Sequence, residues 1–228
     1  MKGLVCLFTL RYVFMDSCDI PNLGYKDWRI VESDGKYGIE DEAQNLICPI
    51  KYLQIYKFYS GLAILKYKKK VASKVRWGVI NEKAEIVIFP EEYEEIKILS
   101  SKLIAFKEKL NKCEEKWELD NNGKIRKVKV KTIEYRWGII SSSGSTICTA
   151  KYDSCPECIR DNEFWIAPIN GYFTLINAEG KQLCRAKYDI IEADVMEPDF
   201  FYAYRNHCQY RMNKKGREIK KNRCKMYS

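Results

Sequence analysis

Short runs of β-branched and aromatic residues alternate along the chain with clusters of Gly, Asn, Asp and Ser, which predicts strands joined by tight turns. Trp77-Gly78-Val79-Ile80 and Ile86-Val87-Ile88-Phe89 are two such runs, separated by polar residues. A third extends from Tyr93 towards Ile98. A fourth, Leu103-Ile104-Ala105-Phe106, is matched by Leu62-Ala63-Ile64-Leu65, Phe164-Trp165-Ile166-Ala167 and Phe200-Phe201-Tyr202-Ala203. Asp34-Gly35 and Asn170-Gly171 supply two-residue hairpin turns. Gly144, Gly180 and Gly216 occupy a second kind of turn, where the backbone needs a positive φ. Helix content is expected to be low.

The runs are copies of one unit. Arg76-Trp77-Gly78-Val79-Ile80 recurs as Arg136-Trp137-Gly138-Ile139-Ile140, with looser copies at Lys36-Tyr37-Gly38-Ile39 and Tyr172-Phe173-Thr174-Leu175-Ile176. A tyrosine anchor follows each glycine position at a spacing of 14, 15, 14 and 14 residues, at Tyr52, Tyr93, Tyr152 and Tyr188. A half-preserved fifth copy begins near Gln209. These residues resemble the WG-repeat family of bacterial proteins over about residues 19–221. The resemblance implies a β-rich repeat array and says almost nothing of a substrate. Counted as tyrosine strand, apolar strand, aromatic-Gly strand and outer strand, the units become five four-stranded antiparallel meanders, starting near Asp19, Lys51, Glu92, Lys151 and Lys187. An extra N-terminal pair, 4–9 and 12–15, would either close the array or cap it. The expected fold is all-β: one repeat domain over 1–228 as a small propeller-like ring, with an open β-solenoid as the alternative.

Composition narrows the function more than it defines it. The 228 residues are 46% hydrophobic and 31% charged, which excludes the disordered and collagenous classes. No apolar stretch approaches the roughly 20 residues of a spanning helix, so no membrane partner is expected. Arg11 inside the N-terminal apolar run and Asp16 beside a would-be cleavage point argue against a signal peptide. The ten cysteines are then expected as mostly buried free thiols in a cytoplasmic protein.

The single histidine, His207, leaves little room for catalysis, and no nucleophile elbow, phosphate loop or paired carboxylate motif accompanies it. It reads as a turn residue after Arg205-Asn206, and no catalytic residue or cofactor is expected. Cys155-Pro156-Glu157-Cys158 has the spacing of half a zinc site, which His207-Cys208 alone could complete; an ordinary loop with two free thiols is the simpler reading. Cys48, Cys148 and Cys184 each precede a repeat tyrosine by four residues, where the second unit has Phe89. That alternation marks them as packing residues. The tryptophans, recurring before glycine, read as core.

Departures from the repeat are where function is expected. The segments 66–76, 107–136 and 211–225 carry net charges of +6, +4 and +7, so against a total of +9 the rest of the chain is near −8. The second segment centres on Asp120-Asn121-Asn122-Gly123 and reads as a protruding β-hairpin arm, or else as a solvated loop. A two-residue Asn122-Gly123 turn would set Glu118 opposite Lys127, Trp117 opposite Val128 and Glu114 opposite Lys131, while the core strands would set Phe106 opposite Trp137. Those registers differ by two, so a β-bulge is expected between them. Val128 and Val130 should share one face, with Lys127, Lys129 and Lys131 on the other. The function expected is a non-catalytic interaction scaffold that binds another protein through its rim and this arm. The alternative is a nucleic-acid accessory protein gripping phosphates. Lys68, Lys69, Lys70, Lys74, Arg126, Lys127, Lys129 and Lys131 are the candidate contact residues.

Overall fold

The constant spacing between glycine and tyrosine reflects a strand register. A computed structural model of the chain describes residues 28–68, 73–119 and 123–221. The expected N-terminal strand pair and the first tyrosine strand lie outside the described residues, as do Lys69, Lys70 and residues 222–225. Every described strand pairing is antiparallel, and no helix is present among the described residues. None is therefore long and apolar enough to cross a membrane.

The chain divides into two compact units between Ser101 and Lys102. The first contains β1 (Arg29–Ser33), β2 (Lys36–Glu40), β3 (Leu46–Tyr52), β4 (Gln54–Ile55), β5 (Leu62–Tyr67), β6 (Arg76–Asn81), β7 (Ile86–Tyr93) and β8 (Glu95–Ile98). Its first two sheets run in the order β1-β2-β3 and β4-β5-β6-β7. They pack through Ile39, Tyr52, Ile55, Leu65 and Ile80, all 5% exposed or less. The second unit contains β9 (Leu103–Leu119), β10 (Ile125–Ser141), β11 (Thr146–Tyr152), β12 (Glu157–Arg160), β13 (Phe164–Ile169), β14 (Tyr172–Asn177), β15 (Ile190–Ala193), β16 (Phe200–Arg205), β17 (Cys208–Asn213) and β18 (Glu218–Lys221). Its strands follow the orders β11-β10-β9, β12-β13-β14 and β15-β16-β17-β18.

Within each repeat the aromatic residue lies opposite the tyrosine: Tyr37 with Tyr52, Trp77 with Tyr93, Trp137 with Tyr152, and Phe173 with Tyr188. The register shifts just past that pair, so the outer strand bulges over the glycine. A Cβ on Gly38 would lie 2.7 Å from the Cys48 carbonyl, and one on Gly78 2.8 Å from the Ile88 carbonyl. At Gly138 the intruders are the Cys148 carbonyl at 2.7 Å and, closer still, the Phe106 ring. The glycine makes room for a bulged backbone in each of these three repeats, and for an aromatic ring in one.

Thr174 replaces the glycine in the fourth repeat, and the sheet there loses its outer strand. Its buried hydroxyl donates to the Cys184 carbonyl at 2.6 Å, and the Gln182 side chain donates to the same carbonyl at 2.8 Å. Only isolated bridges, Phe173 with Tyr188 and Ile176 with Gln182, remain of the ladder. The β1-β2-β3 and β12-β13-β14 sheets, the first and fourth, thus have three described strands where four were expected. In the first, the missing strand would fall in residues outside the described set; in the fourth, side chains have taken over from the ladder.

Candidate functional site

The connection between β9 and β10 is the largest departure from the repeat, and it forms a two-stranded ribbon. Pairing runs unbroken from Leu119 opposite Ile125 at the outer end to Leu103 opposite Ser141 at the base. The expected β-bulge does not exist. Phe106 faces Gly138 rather than Trp137, and Lys127 faces Trp117 rather than Glu118. Val128 faces Lys116, and Glu114 faces Val130. The reason is that the outermost pair is Leu119 with Ile125, so five residues separate the strands instead of the two of an Asn122-Gly123 turn. This one change brings both halves of the ribbon into a single register.

That register sorts the side chains onto two faces. On β10, Val128, Val130, Thr132, Glu134 and Arg136 are half-buried, while Lys127, Lys129, Lys131, Ile133 and Tyr135 between them are exposed. Glu108, Lys112, Glu114, Lys116, Glu118, Arg126, Glu134 and Arg136 all lie on the first face, which is therefore neutral. Ion pairs knit it: Glu134 contacts both Lys112 and Arg136, and Arg136 reaches Asp153. Hydrogen bonds from Arg136 and Lys112 hold the Glu134 carboxyl below the usual carboxylate range. The second face carries Lys109, Lys127, Lys129 and Lys131 against Glu115 alone, a net +3. It also presents Trp117, Leu119 and Ile125, which are 68%, 71% and 69% exposed, followed by Ile133 and Tyr135. Lys127 sits 5.6 Å from the Trp117 ring centroid and pairs with Glu115.

The described candidate contact residues do not share one face. Lys129 and Lys131 share the exposed face with Lys127, but Arg126 lies on the neutral face opposite Glu118. Lys68 is half-buried beyond the end of β5, and Lys74 is exposed before β6. Arg211 and Lys214, in the C-terminal basic segment, already hold acidic partners: Arg211 lies 2.5 Å from Glu197, and Lys214 2.8 Å from Asp199. Composition overstated the positive surface there. It also missed the exposed aromatics of the arm, because only the register shows that Trp117 and Tyr135 share the lysine face.

Cys155, Cys158, His207 and Cys208 are not brought together; no group of three potential metal ligands forms among the described residues. Cys208 is disulfide-bonded, a departure from the expectation of free thiols, whereas Cys48, Cys113, Cys148, Cys158 and Cys184 are free. His207 is exposed, at φ 59° in the two-residue turn between β16 and β17. The Cys158 sulfur accepts a hydrogen bond from the Asn162 N–H at 3.4 Å. An open hollow of 310 Å³ in the second unit is lined by Glu163, Phe164, Asn177, Ala178, Glu179 and Lys214.

Residues 77–113, from the aromatic residue of β6 to the middle of the arm strand β9, match the family model described as "WG containing repeat". Over those residues the chain carries a WG-containing repeat. No curated protein matches it. Among solved structures, the AfRom2 CNH domain aligns over 86% of this chain and 81% of its own, at 9% identity and a TM-score of 0.22. A score that low carries no argument about fold or partner.

In three of the four repeats the tyrosine is buried more deeply than the aromatic residue opposite it; in the second, Tyr93 and Trp77 are both half-buried. Tyr52, Tyr152 and Tyr188 are 0–1% exposed, whereas Trp77, Tyr37 and Phe173 at the aromatic position are half-buried; only Trp137 is buried. The preceding lysine of the repeat lies over the tyrosine ring, with Lys51, Lys151 and Lys187 at 5.4, 5.4 and 5.2 Å from the centroid. The following aspartate fixes the next hairpin turn: Asp153 accepts the Gly171 N–H at 2.8 Å, and Asp189 the Asn206 N–H at 3.2 Å. Cys48 is buried, and burial pushes its thiol up to about 11; the Cys184 thiol is raised for the same reason. These repeat cysteines pack, as expected. Phe89 does not share their position. Ile88 faces Val79 as Cys48 faces Ile39, because the second repeat has one extra residue before its tyrosine; Phe89 is 61% exposed.

Proposed function

We propose that this protein is a non-catalytic scaffold that binds another protein through the lysine-rich apolar face of its arm. The observation that supports this reading is the segregation on the ribbon: one face neutral and internally ion-paired, the other +3 with Trp117, Leu119 and Ile125 about two-thirds exposed. Exposed apolar clusters rimmed by charge mark contact surfaces. Leu119, Ile125 and Ile133 offer no ring for a base to stack on. They favour an apolar protein surface rimmed by acidic groups. No cofactor enters this reading.

The second reading, contact with nucleic acid, draws on Trp117 and Tyr135 interleaved with Lys127, Lys129 and Lys131. Two experiments separate them. Proteins retained by the wild-type chain after nuclease treatment should be lost from a Trp117→Ser/Ile125→Ser variant whose thermal melt is unchanged. In parallel, single-stranded and duplex oligonucleotides are titrated at low and moderate salt. Micromolar affinity that falls steeply with salt would replace the first reading with the second.

A further inference from the structure

The ribbon has two long edges, and they differ in charge. Above the base, β9 over 108–119 and β10 over 125–136 pair with each other, β11 joins β10 only from Trp137 onward, and β9 is exposed from Asn111 to Leu119. An unpaired edge is a template for another strand unless something guards it. The β10 edge carries Arg126, Lys127, Lys129, Lys131 and Arg136 against Glu134, a net +4 that would repel a second copy of itself. The β9 edge is different. Over 107–119 it has four lysines and four glutamates, and they are ordered: 107–112 is +2 and 114–119 is −2, with Cys113 between them.

We propose that the arm pairs edge to edge with a second copy of this chain through β9, antiparallel, with Cys113 on the two-fold axis. Antiparallel pairing lays the positive half of one strand along the negative half of the other. Symmetry then limits the register. An axis normal to the sheet keeps each face on its own side, so a residue and its opposite number must both be odd or both be even. With Lys112 on the axis, two lysines would oppose each other; with Glu114, two glutamates. Cys113 on the axis puts Lys112 opposite Glu114 of the second copy, and the converse pair by symmetry. Lys109 then faces Trp117 of the second copy, and Asn111 faces Glu115, each twice. The one like-charge opposition, Glu108 with Glu118, falls at the ends, where each ribbon already sets Arg136 opposite Glu108 and Arg126 opposite Glu118. Cys113 is exposed and free, so nothing obstructs the axis. The pairing closes on itself, leaving only the lysine-guarded β10 edges outside, so it ends at two copies.

This inference goes beyond the proposed function, since a monomeric arm could still present its face to a partner. The test is the mass of the full chain by light scattering and sedimentation across concentration. Wild type should dimerise. Lys112→Glu and Glu114→Lys should each weaken the dimer about tenfold, because symmetry doubles every like-charge opposition. The double variant should return to within about threefold of wild type. All these positions are exposed, and matching thermal melts confirm that the fold is intact. A short bismaleimide should yield a covalent dimer that vanishes in Cys113→Ser and persists in Cys158→Ser. A wild-type chain that stays monomeric throughout overturns the proposal, as does a double variant no better than the singles. A dimer that survives removal of the arm overturns it equally.

Discussion

At the scale of single residues, this chain depends on atoms that are absent. The glycine after the repeat aromatic lies where a bulged carbonyl comes within 2.7–2.8 Å of a would-be Cβ, and backbone cannot move aside as a flexible side chain can. Gly138→Ala, which also meets the Phe106 ring, should destabilise by about 3 kcal/mol in urea unfolding. Gly171→Ala, with nothing within 4 Å, should cost only its positive φ, about 1 kcal/mol. Thr174 shows how the repeat tolerates the loss: its hydroxyl binds the carbonyl that would otherwise crowd it, and the ladder gives way to side-chain bonds. Titration gives a second test. The Cys48 thiol is raised from its ordinary value of 9 to about 11, so the folded state holds that proton more tightly than the unfolded chain. The resulting stability is complete below pH 9 and lost as pH climbs through 11, on the order of 2–3 kcal/mol. Urea midpoints between pH 8 and 11 should fall less steeply for Cys48→Ala than for wild type. The sequence showed that Cys48, Cys148 and Cys184 pack, because they share a position. It did not show that Ile88 is their counterpart, since the spacing was counted back from a tyrosine that the second repeat delays by one residue.

The turns matter most at the scale of elements. In all five repeats the chain leaves the inner strand through one loop. The N–H of Gln44, Ala84, Gly144, Gly180 and Gly216 bonds the carbonyl of Asp41, Asn81, Ser141, Asn177 and Asn213 respectively. The side chain of that first residue accepts a further N–H four positions on, at 2.8–3.0 Å. The three glycines were visible in sequence; the acceptor was not, because Asp, Asn and Ser share a hydrogen-bonding role but no identity. Ala84 takes φ 62° and Gln44 φ 65° where their counterparts are glycine. Ala84→Gly should therefore raise stability by about 1 kcal/mol, read as a higher melting temperature. His207, at φ 59° in its hairpin turn, should behave likewise as His207→Gly. A loss of stability in both would mean that these side chains make contacts outweighing their backbone cost.

For the molecule as a whole, the arm is separable and its register is not negotiable. Lys109 faces Tyr135, so replacing 110–134 by Asn-Gly preserves the native pairing, whereas replacing 109–134 sets Glu108 opposite Tyr135 and slips the strands by one. The first deletion should change stability by within about 1 kcal/mol. The second should cost several times more, and Trp137→Ala in the adjoining strand about 3–5 kcal/mol. Thermal melts of the three variants, compared side by side, check the order. The arm's existence was legible from its length, its Asn-Gly turn and its alternating lysines. Its register was not, because loops of two and of five residues suit Asp120-Asn121-Asn122-Gly123 equally well, and only the paired strands decide. The unbroken ribbon also bears on time. Leu103 and Ser141, paired at its base, are 38 residues apart, whereas the corresponding pair Phe200 and Asn213 is separated by 13. Direct closure of the longer segment costs about 1 kcal/mol more entropy, unless pairing zips inward from Leu119 and Ile125. A segment that adds little to equilibrium stability thereby sets the pace at which its own sheet can close. Slower refolding with unchanged unfolding, on replacing Leu119 and Ile125 by serine, would be the mark of that role.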